Sequence, residues 1–422
     1  MKQRIKHKRL YLVSFALLAG MLFLSQCISQ NGKIEAKIIA PVFEDYAGVE
    51  KCASCHKDIY EQYLKTSHHY TSMPADEKNI NGSFEKDNIF FSYGNLLKVG
   101  MEKSDSGLYQ KVYFKNEEKK AMRFDIVIGS GKIGQSYLTW RQNRLYQLPV
   151  SHFTSSGQWS NSPGFPNDKI ITERPVIARC LECHTTFAQG QDGTAMEPQG
   201  FVASKMILGV GCENCHGPSA KHVAYQAKHP EDKEARFVVN PSALARQPQL
   251  DACALCHGGK LKKTKPSFSF TPGQNLSAYF LRNIRYKQSI ATDEAEVHGD
   301  QYGLLQASKC FRSSSEMTCN TCHNTHQNQR GDLAFFSSRC ITCHNTNATS
   351  FKTATHSTIK SIEQNCINCH MPVKASRAIA VYMAGEDKPR ASMLRSHYIG
   401  IYPDEVIKFI NGTTTKTKGK KL

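Results

Sequence analysis

The sequence predicts a mainly α-helical fold with extensive irregular loops, built around something other than its own side chains. A small β-hairpin sheet is expected between the first and second of seven recurring cysteine motifs. Three observations carry this. Seven Cys-x-x-Cys-His motifs run through the 422 residues. Only 40% of the residues are apolar, few for a chain that must bury several cores, so part of the interior must be filled by another material. A cysteine-free stretch, residues 84–150, holds short aromatic and β-branched runs separated by Asn, Asp and Gly, the pattern of strands and turns.

Fourteen of the sixteen cysteines fall in pairs separated by two residues, with a histidine directly after each pair. The motifs are Cys52-Cys55-His56, Cys180-Cys183-His184, Cys212-Cys215-His216, Cys253-Cys256-His257, Cys319-Cys322-His323, Cys340-Cys343-His344 and Cys366-Cys369-His370. This is the signature of covalent haem attachment. Two sulfurs form thioethers to the vinyl groups of one porphyrin, and the adjacent histidine is held beneath the ring as proximal ligand to the iron. A zinc ribbon also pairs cysteines two apart, but needs no histidine after every pair. A thioredoxin-like site would show one pair beside a βαβ pattern. The expected cofactor is therefore haem c, seven copies, and the helices and loops are expected to wrap a chain of them.

Taken in order, residues 1–26 read as a signal segment. Lys2, Arg4, Lys6, Lys8 and Arg9 precede an apolar run from Leu10 to Leu24, which is short for a spanning helix. Leu24-Ser25-Gln26-Cys27 resembles a lipobox with Cys27 as the lipidation candidate. Lipidation, simple cleavage and an uncleaved anchor all stay open, and each places the rest of the chain outside the cytoplasm, in the periplasm or cell envelope. Residues 27–50 are a polar tether, and 51–83 a first haem segment with helical periodicity from Asp58 to Lys65. Runs at Ile89–Tyr93, Tyr109–Phe114 and Phe124–Ile128 make 84–150 a small β-rich insert. Gly129-Ser130-Gly131-Lys132-Ile133-Gly134 mimics a dinucleotide-binding loop, but the residues that follow it read as a strand where a helix is required. Residues 151–410 form the multihaem region, opening on a Ser/Pro/Gly/Asn-rich loop that carries Trp159. Residues 411–422 are a basic tail.

The formal charge of +18 argues for nucleic acid only at first sight. No binding motif accompanies it. Fourteen propionates on seven haems would bring a chain processed at Cys27 to about +6 when oxidised and about −1 when reduced, so much of the basicity neutralises cofactor.

Of the seventeen histidines, seven are proximal and His7 lies in the signal segment. His68, His69, His152, His222, His229, His298, His326, His356 and His397 remain. That is enough for a second, distal ligand at every iron. A filled sixth position favours electron transfer over substrate binding.

At these residues the sequence resembles the cytochrome c-552/4 (tetrahaem c-554) family and the related pentahaem nitrite reductases and octahaem hydroxylamine oxidoreductases. Thr318 to His326 is similar to that group's C-x-x-C-H-x-x-H element, which implies that His326 ligates a neighbouring haem. Cys366 to Pro372 followed by Ser396-His397 resembles its terminal C-x-x-C-H-M-P element, which implies His397 as a distal ligand. Cys52 to His56 followed by Ser67-His68 looks like the first haem and its distal ligand. His356 and His298 sit where related chains carry further ligands, and His152 and His222 complete the candidate distal set. The resemblance carries haem arrangement better than it carries a reaction. With enough histidines to fill every sixth position, the leading reading is an electron carrier with mostly bis-histidine, low-spin, low-potential haems, working with redox partner proteins such as a membrane quinol-oxidising complex or another cytochrome. The alternative is a reductase of a small nitrogen or sulfur oxyanion at one five-coordinate haem. Against it, every motif here ends in histidine, whereas the nitrite reductases carry a Cys-x-x-Cys-Lys motif. Cys310, outside the motifs, reads as a buried structural thiol, a disulfide partner for an unlipidated Cys27, or a thiolate ligand or substrate-binding thiol.

Overall fold

The computed structural model describes residues 40–85, 90–93, 96–282, 299–344, 356 and 364–409. Chain contacts divide the molecule into Met1–Ala40 and Pro41–Leu422, and the description below concerns the second unit. Cys27, the signal segment, His298 and the tail from residue 411 lie outside the described residues.

The expectation of a mainly helical fold with one small sheet is wrong. Helix and strand each make up 29% of the structure, and the strands form five antiparallel sheets among the described residues. The first is a four-stranded meander of β2 (Phe90–Tyr93), β3 (Leu97–Ser104), β4 (Gly107–Phe114) and β5 (Glu117–Arg123). Its β4–β5 turn has Lys115 and Asn116 both at positive φ, the type I′ geometry whose twist suits a tight hairpin. Along β4, Leu108, Gln110 and Val112 alternate inward, as the two-residue period of a strand dictates.

The second sheet has seven strands in the order β1 (Ser72–Pro74), β6 (Ile126–Ile128), β7 (Gly134–Arg141), β8 (Arg144–Gln147) and β11 (Arg174–Pro175). The N-terminal end of β7 also pairs with β9 (Val150–Phe153), and β9 with β10 (Gln158–Asn161). The segment after Gly134 is thus a strand. The two sheets share a core that includes Phe91, Val99, Met101, Phe124, Val127, Tyr137, Leu148 and Trp159. Buried Gln110 ties them together: its Nε2 donates to the Val150 carbonyl at 2.7 Å, and Val150 N donates back to Oε1 at 3.1 Å. Trp159 belongs to strand β10 rather than to a loop, and its indole N–H donates to Ser83 O.

The other three sheets are hairpins within the region read as haem-dense loop: β12 (Thr185–Gly193) with β13 (Pro198–Leu208), β14 (Leu261–Lys263) with β15 (Phe280–Arg282), and β16 (Val373–Val381) with β17 (Arg390–Arg395). Each begins within four residues of a motif histidine, after His184, His257 and His370. Register shifts between Thr185 and Phe187 and between Ala188 and Gly190 break the alternation that marks a strand in sequence. The helices are short. The longest described one, Arg246–His257, has 12 residues and ends on the fourth motif.

Packing joins the β-rich half to the motifs. Ile126, Leu138 and Leu145 meet Ala178 and Leu181, which lie on the helix of the second motif, and Ala188 and Phe201 of the β12–β13 hairpin. Phe153 meets Val381 and Met383. Asn161 and Tyr382 exchange hydrogen bonds, Asn161 N to Tyr382 O at 3.1 Å and Tyr382 N to Asn161 Oδ1 at 2.7 Å.

Candidate functional site

Each motif folds as a single helical turn. His56, His216, His323 and His344 donate their backbone N–H to the carbonyl of the first cysteine, at 2.9 to 3.0 Å. The remaining three motifs lie within the helices Ala178–His184, Arg246–His257 and Cys366–His370. Positions i, i+3 and i+4 share one helix face, so both thiols and the imidazole project together. That is the local reason for the spacing.

The surroundings hold these turns in place. The Glu213 carboxylate, buried inside the third motif, accepts the backbone N–H groups of Ala47, Gly48 and Ser219. Ser72 and Thr71 hydroxyls donate to the His184 carbonyl at 2.6 and 3.1 Å. Arg395 donates to the Ile367 and Met371 carbonyls at 2.8 and 2.7 Å and to Asn368 Oδ1, clasping the seventh motif.

Cysteines of different motifs meet. The side chains of Cys52 and Cys212 lie against each other, as do those of Cys183 and Cys256, Cys253 and Cys319, and Cys340 and Cys366. The first motif therefore adjoins the third, the fourth adjoins both second and fifth, and the sixth adjoins the seventh. Cys215 lies within electrostatic reach of Cys253 and Cys256, and Cys322 within reach of Cys343, which links these groups into one branched series with the fourth motif at the branch.

Four motif histidines face a second histidine ring. His257 and His68 have centroids 6.3 Å apart, His216 and His326 6.0 Å, His323 and His397 6.1 Å, and His370 and His356 6.2 Å. An iron between two imidazoles needs two metal–nitrogen bonds of about 2 Å and about 1 Å more from each nitrogen to its ring centre, or roughly 6 Å in all. The spacing fits bis-histidine haem at all four places. Ordinary edge-to-face aromatic pairs share this separation, as Tyr302 and Phe311 do at 6.4 Å, so the case for metal rests on the same gap recurring between two histidines four times.

Protonation also suits ligation. Burial, with His257 and His323 adding repulsion, pushes His68 down to about 4. Burial, with His323 and His257, does the same for His397, whose Nδ1 has no partner. Burial likewise lowers His323 and His326. All four rings are neutral near pH 7, with a lone pair available to a metal. Nδ1 of His216 lies 2.9 Å from the Val239 carbonyl, and that of His370 2.7 Å from the Gly400 carbonyl. A carbonyl only accepts, so Nδ1 carries the proton and Nε2 keeps the lone pair that a metal would need.

The other candidates are placed less directly. His222 Nδ1 lies 2.8 Å from the Arg236 carbonyl, the same tautomer-setting contact. His152 is buried on β9, edge-on to Trp159, with its Nδ1 unpaired. His68 stands opposite His257 of the fourth motif rather than His56 of the first. His69 packs on Tyr63 and Tyr70, and His229 on Tyr225. Half-buried Cys310 lies within electrostatic reach of Cys322 and Cys343, and burial pushes its thiol up, away from thiolate reactivity. The positioning residues Glu213 and Arg395 were not singled out from sequence. Glu213 had one visible signal, a carboxylate inside a motif where no ligand is needed.

Three comparisons bear on this arrangement. The family described as cytochrome c554 and c-prime matches residues 149–217, which include the second and third motifs and His152. The C-type polyheme cytochrome OmcC of Geobacter sulfurreducens is 24% identical over 169 residues, 36% of this chain and 20% of that one. The match thus spans about a fifth of that relative's length. The outer cell wall cytochrome OcwA shares the fold over 87% of this chain and 82% of its own, with a TM-score of 0.53 and 18% identity. This chain is a multihaem c-type cytochrome. As such, the cytochrome binds haem c covalently. Its strands, hairpins and short helices serve to hold many attachment turns close together.

Proposed function

We propose that this cytochrome carries seven haems c, most of them bis-histidine and low-spin, and passes electrons between redox partners outside the cytoplasm. The observation that supports it best is the set of four facing histidine pairs, all spaced for one ligated iron. The bound haems would supply one-electron chemistry at iron. The chain's own part is to attach them by the fourteen motif cysteines, to hold neutral imidazoles on both sides of the iron, and to keep neighbouring attachment turns in contact. With His68, His326, His356 and His397 as second ligands, the four irons they would bind would have no vacancy for substrate. His152, His222 and His298 are proposed for the remaining three irons.

The N-terminal basic and apolar segment, with Cys27 after it, supports export and attachment to a membrane as a lipoprotein or by an anchor. A membrane quinol-oxidising complex or another cytochrome would then be the electron donor or acceptor. The deciding experiment is a count of high-spin ferric haem in the purified oxidised protein by electron paramagnetic resonance. Predominantly low-spin signals and little cyanide or nitrite binding are expected. About one-seventh high-spin haem with rapid nitrite reduction would replace this reading with a reductase.

A further inference from the structure

We infer that Arg179 is a positioning residue that sets the reduction potential where the second and fourth motifs meet. Its guanidinium reaches both. Nη1 lies 3.1 Å from Cys183 Sγ of the second motif, and Nη2 donates to the carbonyl of Leu255, inside the fourth motif, at 2.6 Å. Cys183 and Cys256 are themselves in contact, so one cation lies against the meeting point of two attachment turns. Leu255 O also lies 3.8 Å from Cys183 Sγ, and Glu182 O 3.8 Å from Cys256 Sγ. The side chain is only 21% exposed, and its planar head lies 5.1 Å over the buried ring of Phe280. Stacking and the two-pronged contact fix its direction.

The physical consequence follows from charge. Arginine stays protonated at any relevant pH. Reduction adds one electron and lowers the charge of the group attached at those sulfurs by one. A fixed positive charge beside it favours the reduced form, and poor solvent access leaves that interaction weakly screened. Glu182 sits 3.4 Å from Nη1 and accepts the Phe268 N–H at 3.0 Å. Nη1 thus contacts both the Glu182 carboxylate and the Cys183 sulfur, and the carboxylate offsets part of the effect. The same fork locks the second motif onto the fourth, the branch of the series. The inference rests on haem attachment at both motifs.

A spectroelectrochemical titration of the holoprotein tests it, with haem content measured beside it. Arg179→Gln is expected to shift one or two of the haem transitions to lower potential and leave the others in place. Arg179→Lys, which keeps the charge but loses the fork, should stay near the wild type. With full haem content, unmoved potentials in the Gln variant overturn the proposal. So does a Lys variant that falls as far as Gln, since packing rather than charge would then be responsible. If the Gln variant fails to mature, Arg179→Met supplies the same charge removal with a similar stem, and the Lys variant still gives a deciding result. Absence of covalent haem from the wild type would instead sink the cytochrome reading itself.

Discussion

His216 and His326 lie with their ring centroids 6.0 Å apart and their planes 17° from parallel, a separation equal to the width of one iron ligated edge-on by both. His323 and His397 repeat the arrangement at 6.1 Å and 27°. In both pairs one ring belongs to a motif and the other comes from elsewhere in the chain.

Replacing His326 or His397 by Ala should therefore convert one haem to high spin in each variant while leaving the covalent haem count unchanged. Electron paramagnetic resonance together with mass spectrometry of the denatured protein checks both halves. No new high-spin signal in either variant would remove those residues from the ligand set.

Mass spectrometry of the wild type should show seven haem additions on the processed chain. The expectation rests on seven motifs that all close the same helical turn. Four or fewer would mean that the turn alone does not direct attachment here.

Acid should loosen the structure in a defined window. His68 and His397 are pushed from an ordinary 6.5 to about 4, so the unfolded chain binds more protons than the folded one between those values. Stability then rises with pH across the window; the contribution is complete above 6.5 and is lost as the pH falls toward 4. Low-spin absorbance and thermal midpoint should decline together over that range. Equal stability at about pH 4.5 and about pH 7 would contradict the assignment.

Gln110→Ala should destabilise the paired sheets. The substitution leaves the Val150 N–H and carbonyl without their side-chain partner in a buried position, at a cost of about 3 kcal/mol. Urea unfolding followed by tryptophan fluorescence measures it, since Trp159 lies in the same core. A change under about 0.5 kcal/mol would show that the backbone finds other partners.

Cys27→Ala should release the protein from the membrane fraction if that thiol carries lipid. Unchanged retention would favour an N-terminal anchor.

How much of this could be read in advance divides by distance along the chain. The attachment turn was legible because its whole geometry lies within five residues: one helical turn aligns the two sulfurs and the imidazole whatever surrounds it. The surplus of histidines left nine possible distal ligands, and the family resemblance pointed to His326, His397, His356 and His68 among them. The runs at 109–114 and 124–128 had the composition of strands. The hairpins after His184 and after Met371-Pro372 were missed because bulges and short runs broke their two-residue period, and because dense motifs suggested helix and loop.

What the sequence by itself determined is the chemistry: thioether donors, proximal imidazoles and a pool of possible second ligands, all set by local covalent spacing. Only the tertiary structure decided that His68 faces His257 rather than His56, that Cys52 meets Cys212 and Cys183 meets Cys256, and that Arg179 lies against two motifs at once. The physical reason is that a local turn has few conformations. Which distant turn it meets depends on the path of every strand and hairpin between them, and on the packing that fixes that path.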